Sequence, residues 1–274
     1  MRGFEIVKNN EKKIKAIILA AGVGSRIRPL TDNCPKSLLK IGDRTILERM
    51  LSHIQDCGIS EVVFVLGYLQ EQIKNYVKEN FPDLKFYFVT NERYAETNTG
   101  FSLMLTEDFV EESSFVKFDA DVVFDKEILE NLLKCEHENC LCIDKNIDCD
   151  AEEIKVILDA QNKVIKASKT VDPKEAAGES IGIEKIESKT AKILFSELKI
   201  MMKDEQNHQA YYEEAYERLI EKNIPFHSLE ISGLKWIEID TKEDFLQAEK
   251  IFKGELQDTP HDKGEKSKSV SCLM

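Results

Sequence analysis

The chain has no surplus of positive charge. Its 38 Lys and Arg face 51 Asp and Glu, a formal net charge of -13 over 274 residues. That argues against a nucleic-acid binder, which would show a basic face. No apolar run approaches the about 18 residues of a membrane span, and the charged first fifteen residues lack the apolar core of a signal peptide. Cys272 stands third from the end, where a prenylation box needs its cysteine fourth. The chain therefore reads as cytoplasmic. No C-x₂-C pairs occur, so Cys135, Cys140, Cys142 and Cys149, though clustered, do not space as a zinc ribbon. With Cys34, Cys57 and Cys272 they make an odd set of seven, which reads as free thiols. There is no internal repeat and no G-x-x-x-x-G-K-[ST], so the chain is not a P-loop protein. Gly22 and Gly24 begin a G-x-G, but Ile27 stands where a dinucleotide loop has its third glycine.

What is present is organised around one stretch. Ala16 to Leu19 is a short apolar run that reads as a buried parallel strand. It leads into Ala20, Ala21, Gly22 and Gly24, whose bare backbone lets a ligand reach successive N–H groups, an anion-binding arrangement. Ser25, Arg26, Arg28 and then Pro35-Lys36-Ser37-Leu38 follow, adding fixed positive charge to an otherwise acidic chain. A tight turn with solvated arginines is the plainer alternative.

Strand and helix patterns then alternate. Arg44–Cys57 reads as a helix, Glu61–Leu66 as a strand, Leu69–Asn80 as a helix, Lys85–Thr90 as a strand. This predicts an α/β protein with a doubly wound, mostly parallel sheet and ligands at the carboxyl ends of its strands. The polar run from Asn91 to Ser102, with Tyr94 and Asn98, is either a base-recognition loop or an ordinary loop with a helix cap. Phe115–Phe118 is a further strand delivering Asp119-Ala120-Asp121, with Asp125 available to cap the next helix. Cys140–Asp144, Ile154–Asp159 and Val164–Ser168 read as strands of a small lobe suited to a second substrate, with Lys169 and Glu179 either meeting it or lying on the surface. Ser188–Met202 reads as a helix with Ile193, Leu194, Leu198, Met201 and Met202 inward. The next helix opens Tyr211-Tyr212-Glu213: core packing, or aromatic faces and a carboxylate for an ammonium group. Near the end, Asp240 precedes Thr241 and the helix Lys242–Phe252, which makes it either an N-cap or a site acid. Residues 253–274 read as a disordered tail and 1–14 as an extension, leaving 15–252 as the domain.

L-A-A-G-x-G-S-R-x-x-P-L-T followed by P-K-S-L closely resembles the signature of the nucleotidyltransferases that activate sugar phosphates and phosphocholine. The resemblance implies a Rossmann-like nucleotidyltransferase fold with an acceptor-binding lobe. It implies a reaction in which a nucleoside triphosphate and a phosphorylated or phosphonate acceptor give a nucleotide-linked product and pyrophosphate. By the same resemblance Leu19 to Gly22, Gly24 and Ser25 hold the nucleotide, joined by Asn91, Tyr94, Asn98, Ser102 and Asp119. Arg26 and Lys36 act on the phosphates, and Lys169 lies near the acceptor's phosphate. Asp121 and, through W-x-E-x-D-T-x-x-D, Asp240 hold Mg²⁺. The Asn91 loop and Tyr211-Tyr212-Glu213 look like the phosphocholine-type branch, which favours CTP and an acceptor such as phosphocholine, phosphoethanolamine or 2-aminoethylphosphonate. A sugar- or polyol-phosphate enzyme and a catalytically silent regulatory subunit are the alternatives. A homo-oligomer is compatible with either.

Overall fold

The computed structural model describes residues 14–110, 112–146 and 153–252. The extension before Ile14, the tail from 253, Cys149 and Cys272 lie outside them.

The chain begins with β1 (Ile14–Ala20), passes through short β2 (Lys40–Ile41) and β3 (Arg44–Thr45), and enters α1 (Ile46–Asp56). Then come β4 (Glu61–Leu66), α2 (Gln70–Asn80), β5 (Lys85–Thr90), α3 (Thr99–Met104) and α4 (Glu107–Val110). β6 (Ser114–Asp119), β7 (Val122–Phe124) and α5 (Lys126–Lys134) precede β8 (Cys140–Asp144), β9 (Lys155–Leu158), β10 (Val164–Ser168) and β11 (Gly178–Ile186). The chain closes with α6 (Ser188–Met201), α7 (Tyr212–Glu221), β12 (His227–Glu230), β13 (Trp236–Glu238) and α8 (Lys242–Phe252).

One nine-stranded sheet runs β10-β9-β11-β6-β1-β4-β5, with β8 on β11 and β12 on β8. β6, β1, β4 and β5 are mutually parallel. β1 and β4 lie in the middle, which is why their side chains are apolar on both faces: every residue of β4 is buried. Even-numbered residues such as Ile18, Phe64 and Phe118 pack under α1, α2, α5 and α8. Odd-numbered Ile17, Val63 and Phe115 pack under α3, α6 and α7. The one charge at the start of β4, Glu61, is met by Lys15 Nζ at 3.4 Å and by the Tyr87 hydroxyl at 2.9 Å.

β11 reverses the sheet. It is antiparallel to β6, β8 and β9 and carries the lobe. The sequence reading stopped at Glu179–Ile183 without making it a strand, because its Glu, Ser and Gly residues hide the alternation. Two other local readings change. Ile193 is 43% exposed, outside the inward stripe of α6. Asp125 gives no side-chain cap to α5; its Oδ2 accepts from the Lys235 N–H at 2.8 Å instead. Among the described residues, no helix is long and apolar enough to cross a membrane.

Candidate active site

The carboxyl ends of β1, β5 and β6 open into a cavity of about 750 Å³, the place where parallel α/β sheets bind ligands. Three local features build one half of it. The turn after β1 bends at Gly24, whose φ of 65° lies in the left-handed region. A Cβ there would stand 3.1 Å from Thr31 Cγ2, and the Thr31 hydroxyl donates to Gly24 O at 2.7 Å. Gly22, by contrast, faces open space: a Cβ on it would meet nothing within 4 Å. Its bare backbone borders the cavity.

β6 pairs with β1 so that Asp119 lies beside Leu19, and the Ala120 N–H donates to Leu19 O at 3.2 Å. This sets Asp119 and Asp121 next to the turn. β13 pairs antiparallel with β7, Glu238 opposite Val122, and the Ile239 N–H donates to Asp121 O at 3.0 Å. That register returns Asp240 to Asp121. Asp240 is not the cap of α8: Thr241 Oγ1 accepts from the Asp244 N–H at 3.2 Å, and Asp244 Oδ2 accepts from Asp240 N and Thr241 N. Its carboxylate is left for the cavity.

There the charges meet. Lys36 Nζ bridges Asp121 Oδ2 at 2.7 Å and Asp240 Oδ1 at 2.8 Å, and Arg26 Nη2 donates to Asp240 Oδ2 at 2.6 Å. Burial acts to lower the Lys36 pKa, but the two aspartates outweigh it and hold the ammonium above its ordinary value. Asp121, Glu238 and Asp240 bring three carboxylate oxygens within 4.8 Å of one another. Asp121 Oδ1 is buried without a hydrogen-bond partner. Desolvation, and then the charges of Asp121 and Asp240, raise Glu238 well above the usual carboxylate range. An all-oxygen set of this kind suits Mg²⁺, which takes one or two carboxylates beside phosphate oxygens and water. Glu238 was missed by the sequence reading. Its signal was the i, i+2 spacing in Glu238-Ile239-Asp240, which puts both acids on one side of an extended segment.

The other half of the cavity is lined by Lys169, Glu179, Tyr211, Tyr212 and Glu213. Glu214 Oε1 accepts from the Tyr211 N–H at 3.2 Å at the start of α7, and Glu213 turns inward, 4% exposed. Beneath it Lys117, fully buried, contacts Asp119 Oδ2 at 2.8 Å, Glu184 Oε2 at 2.9 Å and the Tyr212 hydroxyl. The Tyr212 hydroxyl donates to Asp119 Oδ2 at 2.9 Å. Gly182 makes room for this cluster: a Cβ there would lie 2.5 Å from Asp119 Oδ2.

Of the residues singled out from sequence, Leu19, Ala20, Ala21, Gly22, Gly24, Ser25, Arg26, Lys36, Tyr94, Asn98, Ser102, Asp119, Asp121 and Asp240 line the cavity together with that second half. Asn91 does not. It is 1% exposed; its Nδ2 donates to Thr97 Oγ1 and Ser102 Oγ, and its Oδ1 accepts from the Arg93 N–H. It braces the loop that presents Tyr94, Asn98 and Ser102. Asn98 also caps α3, accepting from the Thr99 N–H at 2.8 Å.

Residues 15–143 match the family described as Nucleotidyl transferase. The chain is 29% identical to CTP:phosphoglutamine cytidylyltransferase of Campylobacter jejuni, over 86% of this chain and all of that one. It is 28% identical to choline-phosphate cytidylyltransferase of Streptococcus pneumoniae, over 88% and 100%. The solved structure of CTP:phosphocholine cytidylyltransferase from Streptococcus pneumoniae superposes with a TM-score of 0.74 at 27% identity, covering 87% of this chain and 99% of that one.

Proposed function

Starting from a chain whose residues 15–143 match the nucleotidyl transferase family, and which is similar to cytidylyltransferases over 86% and 88% of its length, we propose that it transfers CMP from CTP to a small acceptor. The acceptor bears a phosphate or phosphonate at one end and a cationic group at the other, and pyrophosphate is released. The observation that carries this is the convergence of Arg26, Lys36, Asp121 and Asp240 beside the bare backbone of Gly22, in a cavity that continues to the buried carboxylate of Glu213.

The acceptor's phosphoryl oxygen forms a new bond to the α-phosphorus in line with the leaving group. The bond to the β-phosphate oxygen breaks, and pyrophosphate departs with the electron pair. No covalent enzyme intermediate is needed, so the side chains act by positioning and by charge. Arg26, 57% exposed at the cavity rim, holds the departing pyrophosphate. Lys36 offsets charge at the α-phosphate and the incoming oxygen. Gly22 and its neighbours receive base and sugar through backbone N–H groups, with Ser25, Tyr94, Asn98, Ser102 and Asp119 around them. Lys169 meets the acceptor's phosphate. Asp121 and Asp240, with Glu238 alongside, would hold Mg²⁺, which would supply positive charge to offset that of the phosphates.

The test is pyrophosphate release with Mg²⁺ over a grid of CTP, UTP, dTTP, ATP and GTP against phosphocholine, phosphoethanolamine, 2-aminoethylphosphonate, inositol phosphate and glucose 1-phosphate. Turnover confined to CTP and the cationic acceptors supports the proposal. Turnover only with a sugar or polyol phosphate refutes the acceptor, and turnover only with another triphosphate refutes the base. No turnover anywhere favours a silent subunit of this fold.

A further inference from the structure

We infer that the acceptor's cationic end is a hydrogen-bonding ammonium, carrying N–H groups, that Glu213 and Thr99 receive, and that it is not a quaternary ammonium. This rests on the nucleotidyl-transfer reading above and specifies its second substrate.

The two kinds of cation ask for different walls. A quaternary ammonium has no N–H to donate and is held by open aromatic faces. A primary ammonium has three donors and needs oxygens. The two tyrosines opening α7 do not offer a cage. Tyr212 is 2% exposed, Lys117 Nζ lies 3.7 Å from its ring centroid, and the ring of Tyr216 packs 5.4 Å away. Tyr211 already carries the Lys169 ammonium 4.8 Å from its ring centroid.

What this end of the cavity leaves unspent is oxygen. Glu213 Oε2 and Thr99 Oγ1 are buried without a hydrogen-bond partner, and both residues line the cavity. They come from separate elements brought close. Gly100 packs so tightly on the segment entering α7 that a Cβ would lie 2.8 Å from Ala210 O, and the Gly100 N–H donates to that carbonyl at 3.2 Å. The start of α3 therefore lies at the foot of α7.

Charge points the same way. Asp119, Glu184 and Glu213 surround a single buried ammonium, that of Lys117. Burial, and then Glu184 and Asp119, outweigh Lys117 and push the Glu213 carboxyl up to about 8. A buried carboxyl of this kind is held in its ionised form by a ligand that supplies both a counter-charge and donors. An N–H-bearing ammonium does; a trimethylammonium supplies only the charge.

The test uses the full chain with CTP and Mg²⁺ and follows kcat/KM through phosphoethanolamine, its N-methyl and N,N-dimethyl forms, and phosphocholine, with glucose 1-phosphate alongside. The expected result is a decline along the series totalling about tenfold or more, the usual size of a lost hydrogen bond to a charged group. A flat series, or one rising to phosphocholine, overturns the inference and leaves nucleotidyl transfer standing. Turnover of glucose 1-phosphate alone overturns it together with the cationic acceptor, and silence with every acceptor removes the reaction itself. Glu213→Gln is the second arm. It should raise the KM for phosphoethanolamine about tenfold or more while the KM for CTP stays put; an unchanged acceptor KM overturns the assignment. If that variant fails to fold, the methyl series on the unaltered chain still decides.

Discussion

At the scale of single residues, the cavity depends on side chains whose removal has distinguishable effects. Asp121→Asn keeps the shape and the Lys36 contact but halves the carboxylate pair. Turnover should fall at least a hundredfold, on the order of other lost electrostatic groups in active sites, with an unchanged circular dichroism spectrum. Near-normal pyrophosphate release would sink the role proposed for it. Gly182→Ala tests a different kind of dependence. Its φ of 74° is strained for any side chain, and the new methyl group would collide with Asp119. The expected cost is about 1–3 kcal/mol, read as a lower urea midpoint, together with weakened nucleotide binding as Asp119 is displaced. A midpoint equal to the parent's would show that the strand relaxes freely around this contact. These residues were unequally legible. Gly22, Gly24, Arg26 and Lys36 sit in one contiguous string, so the sequence displays them side by side. Asp121 and Asp240 lie far apart in the chain and are joined by the β7–β13 register, which no local pattern reveals; only the family resemblance paired them. Asn91 was misplaced because an asparagine that braces a loop and one that faces a ligand look alike in one dimension.

At the scale of elements, α8 and α1 each hold part of the site in place. Thr241 caps α8 and shares Asp244 with the Asp240 backbone. Thr241→Ala should destabilise the chain by about 1 kcal/mol and also raise the KM for the metal–nucleotide complex, since Asp240 loses its fixed setting. A loss of stability with unaltered kinetics would mean that β13 alone orients that aspartate. α1 presses on β7 through His53, whose Nε2 donates to Phe124 O at 3.1 Å and whose ring packs on Phe124. Burial, and then Arg44, lower its pKa from 6.5 to about 4. The unfolded chain therefore takes up this proton first. The contribution is fully present above about pH 6.5 and is lost as the pH falls toward 4. Urea midpoints at pH 7, 5 and 4 should drop more steeply for the parent than for His53→Gln, which keeps the donor but cannot titrate; parallel slopes would contradict this. Elements with one clean period, such as α1, α2, β4 and β5, were readable within a residue or two. β11 was not, because its buried Glu184 and its Lys185 serve the cluster and the sheet rather than alternation.

At the scale of the whole molecule, the two halves of the sheet do different work. On the proposed reading, the parallel half presents strand ends and loops to the triphosphate. The antiparallel annex grown from β11, with α6 and α7 behind it, would then build the wall for the acceptor. The apolar runs of β1, β4 and β5 made the first half foreseeable as a class of fold. The second half follows from long-range pairings, β8 with β11 and β12, that no single segment announces.

The pairing of β13 with β7, described above as a matter of register, also sets a timetable. Asp240 can reach Asp121 only once the chain has been made past residue 240, well after the parallel strands β1, β4, β5 and β6. A ribosome-bound chain that has released only the parallel strands holds one aspartate of the pair, Asp121. A product truncated before Trp236 would keep the parallel strands but lack Asp240, and on the proposed reading it would lack the chemistry.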